Sequence, residues 1–127
     1  MEDLRRTERI FSSAADPNRL RILKMLEVKP MCVCEITACL GIAQSSVSRH
    51  LSLLRDAELV VDRKRGLWVD YSLAERAEGM AAAILGALRR WGRDDPQIRA
   101  DREKASRLDR RQICAHDRAS RRAGKRK

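Results

Sequence analysis

The sequence has few aromatic side chains, no long apolar run and only a handful of glycines and prolines. Phe, Trp and Tyr make up 3% of the 127 residues, so any core must be small and aliphatic. No segment approaches the roughly 20 apolar residues of a membrane-spanning helix, and residues 1–15 mix charges without the apolar centre of a signal peptide. The sequence therefore predicts one folded domain of ordinary size, located in the cytoplasm, with no membrane partner.

Acidic residues are outnumbered by basic ones, and the excess lies mostly at one end of the chain. There are 28 Lys+Arg against 18 Asp+Glu, which gives a net charge of +10. Residues 93–127 contain 13 Lys+Arg and 6 Asp+Glu, a net +7, but few large aliphatic residues. We expect residues 1–92 to form the folded domain and residues 93–127 to be a basic tail, partly helical or disordered. A polyanion such as nucleic acid is the expected partner.

Apolar spacing predicts five helices and one β-rich interruption. The helical stripes cover residues 3–14, 17–29, 33–40, 44–57 and 74–91. A β-rich run at residues 59–61 and another at 67–71 flank a basic tip at residues 63–66, which predicts a hairpin. Gly41 is the expected turn residue between the third and fourth helices. The expected fold is mostly α with a β-hairpin wing, a winged helix-turn-helix.

The fourth predicted helix has a small, polar outer face that suits the major groove of DNA. An inserted helix presents its N-terminal half to base edges, and Gln, Ser and Arg carry suitable donors and acceptors, with Arg49 the strongest candidate. The basic tip of the hairpin would contact the DNA backbone or minor groove. His50 either donates to a phosphate or lies at the edge of the helix. The candidate DNA-binding residues are Gln44, Ser45, Ser46, Ser48, Arg49, His50, Arg63, Lys64 and Arg65.

The last predicted helix, residues 74–91, is apolar over more of its surface than a monomer needs. Gly79 and Gly86 fall on nearly the same face, where two small residues would allow a second helix to approach closely despite their cost to helix stability. We therefore expect a homodimer formed through the terminal helices. Folding of the small core would then depend on dimerisation.

Three blocks within about residues 20–73 resemble one known family. The blocks are MCVCEI at residues 31–36, QSSVSRHL at 44–51 and DRKRGLWVDY at 62–71. In this order they resemble the arsenical-resistance repressors of the ArsR/SmtB family of winged-helix metalloregulators. The resemblance implies a homodimeric repressor that binds an inverted-repeat operator in double-stranded DNA. It also implies release when arsenic(III) or antimony(III) binds the thiolates of Cys32 and Cys34, which match the family's Cys-Val-Cys motif.

The thiol chemistry also follows from the residues alone. Thiolates are soft ligands, so a close pair of cysteines favours thiophilic ions over oxygen-seeking cations such as magnesium. Side chains two residues apart on a helix diverge by about 200°, so Cys32 and Cys34 cannot both reach one ion within a regular turn. We expect Cys32 at the fraying start of the third helix, where coordination would distort the turn and shift the recognition helix beyond Gly41.

Two positions depart from the family pattern. Family members often carry a third cysteine three residues beyond the pair, where this chain has Thr37. The third ligand could be Cys114 of the tail, from either subunit, or a small cellular thiol, whereas Cys39 would require extensive unwinding of the helix. Glu58 stands where the family usually has glycine, and a positive φ there would cost about 1 kcal/mol.

Other hypotheses use the same thiols differently. Oxidation or persulfidation of the pair would make a redox-sensing repressor, and a cadmium or lead sensor would need Cys114 because no cysteine precedes Cys32. The last helix has no histidine for the zinc, nickel or cobalt site of some relatives. A thiol enzyme is disfavoured because Cys-x-x-Cys, a nearby base and a phosphate-binding glycine loop are all missing. We expect no enzyme activity and no organic cofactor.

Overall fold

The computed structural model describes residues 3–111 and 113, and this part of the chain is mostly helical with one antiparallel hairpin. Its elements, in chain order, are α1 (Leu4–Ala14), α2 (Pro17–Leu26), α3 (Val33–Leu40), α4 (Gln44–Asp56), β1 (Val60–Arg65), β2 (Trp68–Leu73), α5 (Gly79–Arg90) and α6 (Pro96–Arg107). The order of helices and strands confirms the predicted winged helix-turn-helix.

The core is aliphatic and draws on every helix. Its fully buried side chains include Ile10 of α1, Ile22 of α2, Ile36 of α3 and Leu51 of α4. Burying each such side chain contributes roughly 1.5–3 kcal/mol before the entropy of ordering it is subtracted. The hairpin joins this core through Leu59, which is also fully buried. The wing is thus anchored at its base.

The helix-turn-helix consists of α3 and α4, which meet at Gly41. Gly41 has a φ of +71°, a conformation that glycine adopts without steric cost and that ends α3. Val47, Leu51 and Leu54 are the buried residues of α4, at the spacing that the sequence predicted. With these three side chains in the core, the polar side of α4 faces solvent.

The hairpin differs from its prediction in where the basic residues lie. β1 and β2 pair with Arg65 opposite Trp68, so the turn is only Gly66 and Leu67. Gly66 has a φ of +61°, which suits a two-residue hairpin turn. The predicted four-residue basic tip is therefore wrong. Residues 63–65 belong to β1 because the tight turn leaves them within the paired strand.

The predicted last helix begins later than the apolar pattern indicated. α5 starts at Gly79, whose φ of +58° is left-handed, so Gly79 is the first residue of the helix rather than an interior one. The helix-packing face expected at Gly79 and Gly86 stays a prediction. Gly86 does lie within α5, is exposed, and has no neighbouring atom within 4 Å of where a Cβ would stand.

Residues 96–107, in the stretch expected to be a partly helical or disordered tail, form a helix that docks on the domain, which the sequence did not predict. These residues form α6, which packs against α2 and α3 and buries Ile98 and Ala105. Arg21 of α2 donates two hydrogen bonds to the buried Asp101 of α6, at 2.7 and 2.9 Å. Aliphatic content could not reveal this docking, because charge pairs provide much of it. Cys114 and the basic run after it lie outside the described residues.

The helices of the described part of the chain are short and mostly amphipathic. None of its helices is both long enough and apolar enough to cross a bilayer.

Candidate functional site

The outer side of α4 carries the predicted base-reading residues. Ser45, Ser46, Ser48 and Arg49 are exposed, and Gln44 is half-buried at the first turn. These five residues lie on the side of α4 opposite its buried residues. The fold therefore brings them together on one surface. Short hydroxyl, amide and guanidinium groups on an exposed helix can reach base edges in a major groove.

His50 lies at the edge of α4 and is held by α2. Its Nδ1 is 3.1 Å from a terminal nitrogen of Arg19, whose Nε also donates to the Ser13 carbonyl at 2.6 Å. Burial lowers the pKa of His50, which favours the neutral ring that can accept from Arg19. Of the two roles predicted for His50, this arrangement fits the one at the helix edge.

Three basic side chains of the wing form a second exposed patch. Arg63, Lys64 and Arg65 are all exposed along β1 and alternate between the two faces of the hairpin. Arg65 Nε is 3.7 Å from the carboxylate of Asp70 on β2. Arg65 thus ties the patch to β2 through an ion pair. Arg63 and Lys64 face solvent, where they could contact phosphates.

Glu58 occupies the turn between α4 and β1. Its φ of +61° confirms the suspected left-handed position, at a cost of about 1 kcal/mol relative to glycine. The Glu58 carboxylate pairs with Arg6 of α1. Both side chains are largely exposed, so the pair offsets only part of that cost.

Cys32 and Cys34 lie at the start of α3. Cys32 is the N-cap, with the extended angles φ −87° and ψ 169°, and is buried; Cys34 is in the first turn and half-buried. This confirms the predicted position of Cys32 at the helix start. Because Cys32 lies outside the helix, the divergence of about 200° expected between side chains two apart on a helix does not apply to Cys32 and Cys34. Its backbone N–H donates to Glu35 Oε1 at 3.1 Å.

The described residues supply two of the thiols a soft ion would need, but no complete site. Cys39 is buried near the other end of α3, where burial raises its pKa to about 11. A thiol with that pKa is protonated near neutral pH and is a poor ligand. Among residues 3–111 and 113, no group of three or more His, Cys, Asp or Glu is arranged to hold a metal ion. Cys114 is not among them.

A backbone bridge ties the thiol pair to the wing. Met31, immediately before Cys32, donates its N–H to the Tyr71 carbonyl at 3.0 Å and accepts from the Tyr71 N–H at 2.8 Å. Tyr71 lies within β2. Sequence reasoning missed this connection because a single bridge between residues 40 positions apart leaves no periodic or compositional signal.

Comparison with known proteins assigns the fold to a family. Residues 16–61 match the family described as bacterial regulatory protein, arsR family. The arsenical resistance operon repressor of Escherichia coli (strain K12) is 37% identical over 112 residues, which cover 85% of this chain and 88% of that protein. The chain belongs to the ArsR family. An ArsR-family chain is a transcriptional regulator that binds DNA, and it is not an enzyme.

Solved structures place this ArsR-family chain among other regulators of the same fold. Reduced HlyU from Vibrio cholerae N16961 is 31% identical, with a TM-score of 0.57 over 68% of this chain and 87% of that chain. The cadmium metal-sensor CMTR from Mycobacterium tuberculosis is 34% identical, with a TM-score of 0.54 over 68% of this chain and 84% of that chain. The resemblance noted in the three sequence blocks is thereby confirmed at the level of family and fold.

Proposed function

We propose that the chain is a repressor that binds an inverted-repeat operator as a homodimer and leaves it when arsenic(III) or antimony(III) binds Cys32 and Cys34. The observation that carries the proposal is the position of both thiols at the start of α3, with Cys32 as the N-cap and Cys34 in the first turn, one helix before the recognition helix α4. The relative from E. coli, named for arsenical resistance, supports the choice of effector.

The donor chemistry at the start of α3 fits a thiophilic ion. Two thiols within three residues offer soft ligands. When bound, arsenic(III) or antimony(III) would supply a soft centre that draws the two thiolates together. Cys34 sits inside the first turn, so drawing it toward Cys32 strains that turn. We assign the third donor to Cys114 or to a small cellular thiol.

The path from this turn to the DNA-binding surfaces is short. At its far end α3 passes through Gly41 into α4, and at its near end Met31 is bridged to Tyr71 of the wing. A distorted first turn therefore acts on both DNA-contacting elements. The loss of DNA affinity on binding the effector is set by how much more tightly the effector binds the distorted state than the DNA-binding state.

The proposed dimer forms through α1 and α5, which pack against each other and carry exposed apolar side chains. Leu4 and Phe11 of α1 are 87% and 51% exposed, and Trp91 after α5 is 45% exposed. On α5 itself the exposed small residues are Gly79, Ala82, Ala83, Gly86 and Ala87. A two-fold axis through this surface would present two copies of α4 to the two halves of an inverted repeat.

Dissociation of the purified, reduced protein from a fluorescent operator tests the proposal. The operator would be selected from random DNA, and arsenite, antimonite, cadmium, lead and peroxide would be titrated at fixed salt. We expect arsenite and antimonite to release the protein at concentrations near its own. Release should be lost in the Cys32→Ser, Cys34→Ser variant and kept in the matched control Cys39→Ala. A double variant that still dissociates on adding arsenite would contradict the proposal.

A second candidate is a sensor of the same fold that responds to thiol oxidation, persulfidation, cadmium or lead. The closeness of Cys32 and Cys34 favours a redox response, and a relative is known as a cadmium sensor. Release by peroxide alone would assign the pair to redox sensing. Release by cadmium or lead alone, lost in Cys114→Ser, would assign it to those ions.

A further inference from the structure

We propose that Arg110 is a positioning residue that links the state of the thiol pair to the state of the wing. The proposal rests on the proposed function, because it concerns the regulation of the same site. Arg110 follows α6, in the part of the chain that composition alone assigned to a tail. Its guanidinium contacts residues of both α3 and β2.

On the wing side, Arg110 is fixed by two residues of β2. Its two terminal nitrogens donate to the two oxygens of the buried Asp70, at 2.8 and 3.2 Å. The guanidinium carbon is 5.1 Å from the centre of a Trp68 ring. A two-point carboxylate contact combined with stacking on an aromatic ring defines the orientation of the guanidinium plane, which a lysine could not reproduce.

On the thiol side, the same guanidinium approaches the residue that caps α3. Arg110 Nε is 3.8 Å from Glu35 Oε1, and that oxygen also accepts the backbone N–H of Cys32. Glu35 is buried, and its other oxygen is 3.8 Å from Lys29 Nζ. A buried carboxylate needs nearby positive charge, so Glu35 and Asp70 both depend on Arg110.

The arrangement makes the two carboxylates respond to each other. Glu35 is the third residue of α3, so any unwinding that brings Cys32 and Cys34 together moves it. Arg110 then shifts relative to Asp70, whose other ion-pair partner among the described residues is Arg65, at 3.7 Å. Arg65 belongs to the exposed basic patch of the wing. Loss of the Arg110 contact thus draws Arg65 toward Asp70 and away from a phosphate.

Thiol protection by DNA measures this coupling without any effector. Coupling between two sites is reciprocal, so operator binding should slow alkylation of Cys32 and Cys34 by iodoacetamide, quantified by peptide mass spectrometry on the full chain. We expect Arg110→Gln and Arg110→Lys to reduce that protection by about fivefold or more. Arg111→Gln, which removes one exposed neighbouring charge, should leave the protection unchanged. Circular dichroism establishes that each variant is folded.

Arsenite release of the operator complex from the same variants separates the two proposals. If the wild type is released and both Arg110 variants need about fivefold or more arsenite, the proposed function and the coupling both hold. If arsenite has no effect but Arg110→Lys still loses protection, the effector assignment fails and the coupling stands. Arg110→Lys behaving like Arg111→Gln in both measurements would overturn the inference and leave the proposed function untouched.

Discussion

The two ends of α3 place cysteines in different surroundings. Cys32 precedes the helix in an extended conformation, and the Glu35 side chain holds its backbone N–H. Cys39, seven residues later, lies within the core, where burial raises its pKa to about 11. Burial thus keeps Cys39 protonated near neutral pH, whereas Cys32 stands at the helix start where we propose that an ion binds.

Under the proposed function, the start of α3 is the end that changes shape. There the Glu35 side chain caps the backbone of Cys32 and a backbone bridge joins Met31 to Tyr71, while the side chains of Met31 and Cys32 are buried. The end is fixed by the burial of Ile36 and Leu40 and by the turn at Gly41.

Weakening the packing of α3 against the core should produce the largest effect on stability. Ile36→Ala removes a fully buried side chain from the centre of α3, and we expect a loss of about 2–5 kcal/mol in the free energy of unfolding. Urea denaturation at fixed protein concentration measures it, since concentration would affect the midpoint of the proposed dimer. Cys34→Ser, in the first turn of α3, is the matched comparison and should lower the free energy of unfolding by under about 1 kcal/mol. Equal losses would remove the distinction between the two ends.

The next largest effect is expected on the rate at which the Cys39 thiol is alkylated. Relative to the ordinary pKa of 9.0, a pKa of about 11 leaves roughly a hundredfold less thiolate at pH 8. We therefore expect iodoacetamide to modify Cys39 at least about a hundredfold more slowly in the folded protein than in urea. Peptide mass spectrometry follows each cysteine separately. Modification of Cys39 as fast as in urea would show that the far end of α3 opens too.

The same shift makes stability depend on pH at the alkaline side. The folded protein holds the Cys39 proton more tightly than the unfolded chain, so its contribution is complete below pH 9 and is lost as the pH rises toward 11. A Cys39→Ala variant should lose less stability over that interval than the wild type. Identical pH profiles for the two proteins would mean that the thiol does not stay buried.

Sequence patterns located the helices well where one apolar face meets one core. The predicted third helix, residues 33–40, coincides with α3, and the fourth ends within one residue of α4. The thiol pair and the polar face of α4 were also found, because local spacing determines both. Periodicity works here since the interval between buried residues depends only on helix geometry.

The features that the sequence did not predict depend mostly on contacts between residues far apart in the chain. α6 docks through Arg21 and Asp101, which are 80 positions apart, and Arg110 reaches Asp70 across 40 positions. Oppositely charged residues are common throughout this chain, so no single pair stands out before folding. The start of α5 was misplaced for another reason: Gly79 takes a positive φ that an apolar pattern cannot indicate.

Backbone strain at the helix ends gives the smallest expected effect. Gly41 after α3 and Glu58 after α4 have nearly the same left-handed φ, +71° and +61°, but only one of them is glycine. No atom would stand within 4 Å of a Cβ at Gly41, so Gly41→Ala introduces conformational cost without a clash. We expect it to lower the free energy of unfolding by about 1 kcal/mol, and Glu58→Gly to raise it by a similar or slightly smaller amount.

The Arg6–Glu58 pair has to be separated from this backbone effect. Making both substitutions in an Arg6→Gln background removes the exposed pair, which is worth about 0–1 kcal/mol, and leaves the backbone as the difference. Opposite signs for Gly41→Ala and Glu58→Gly in urea denaturation would confirm that the two turns carry the same constraint. If Glu58→Gly destabilised the protein in that background, the turn after α4 would owe its shape to the Glu58 side chain, unlike the turn that ends α3.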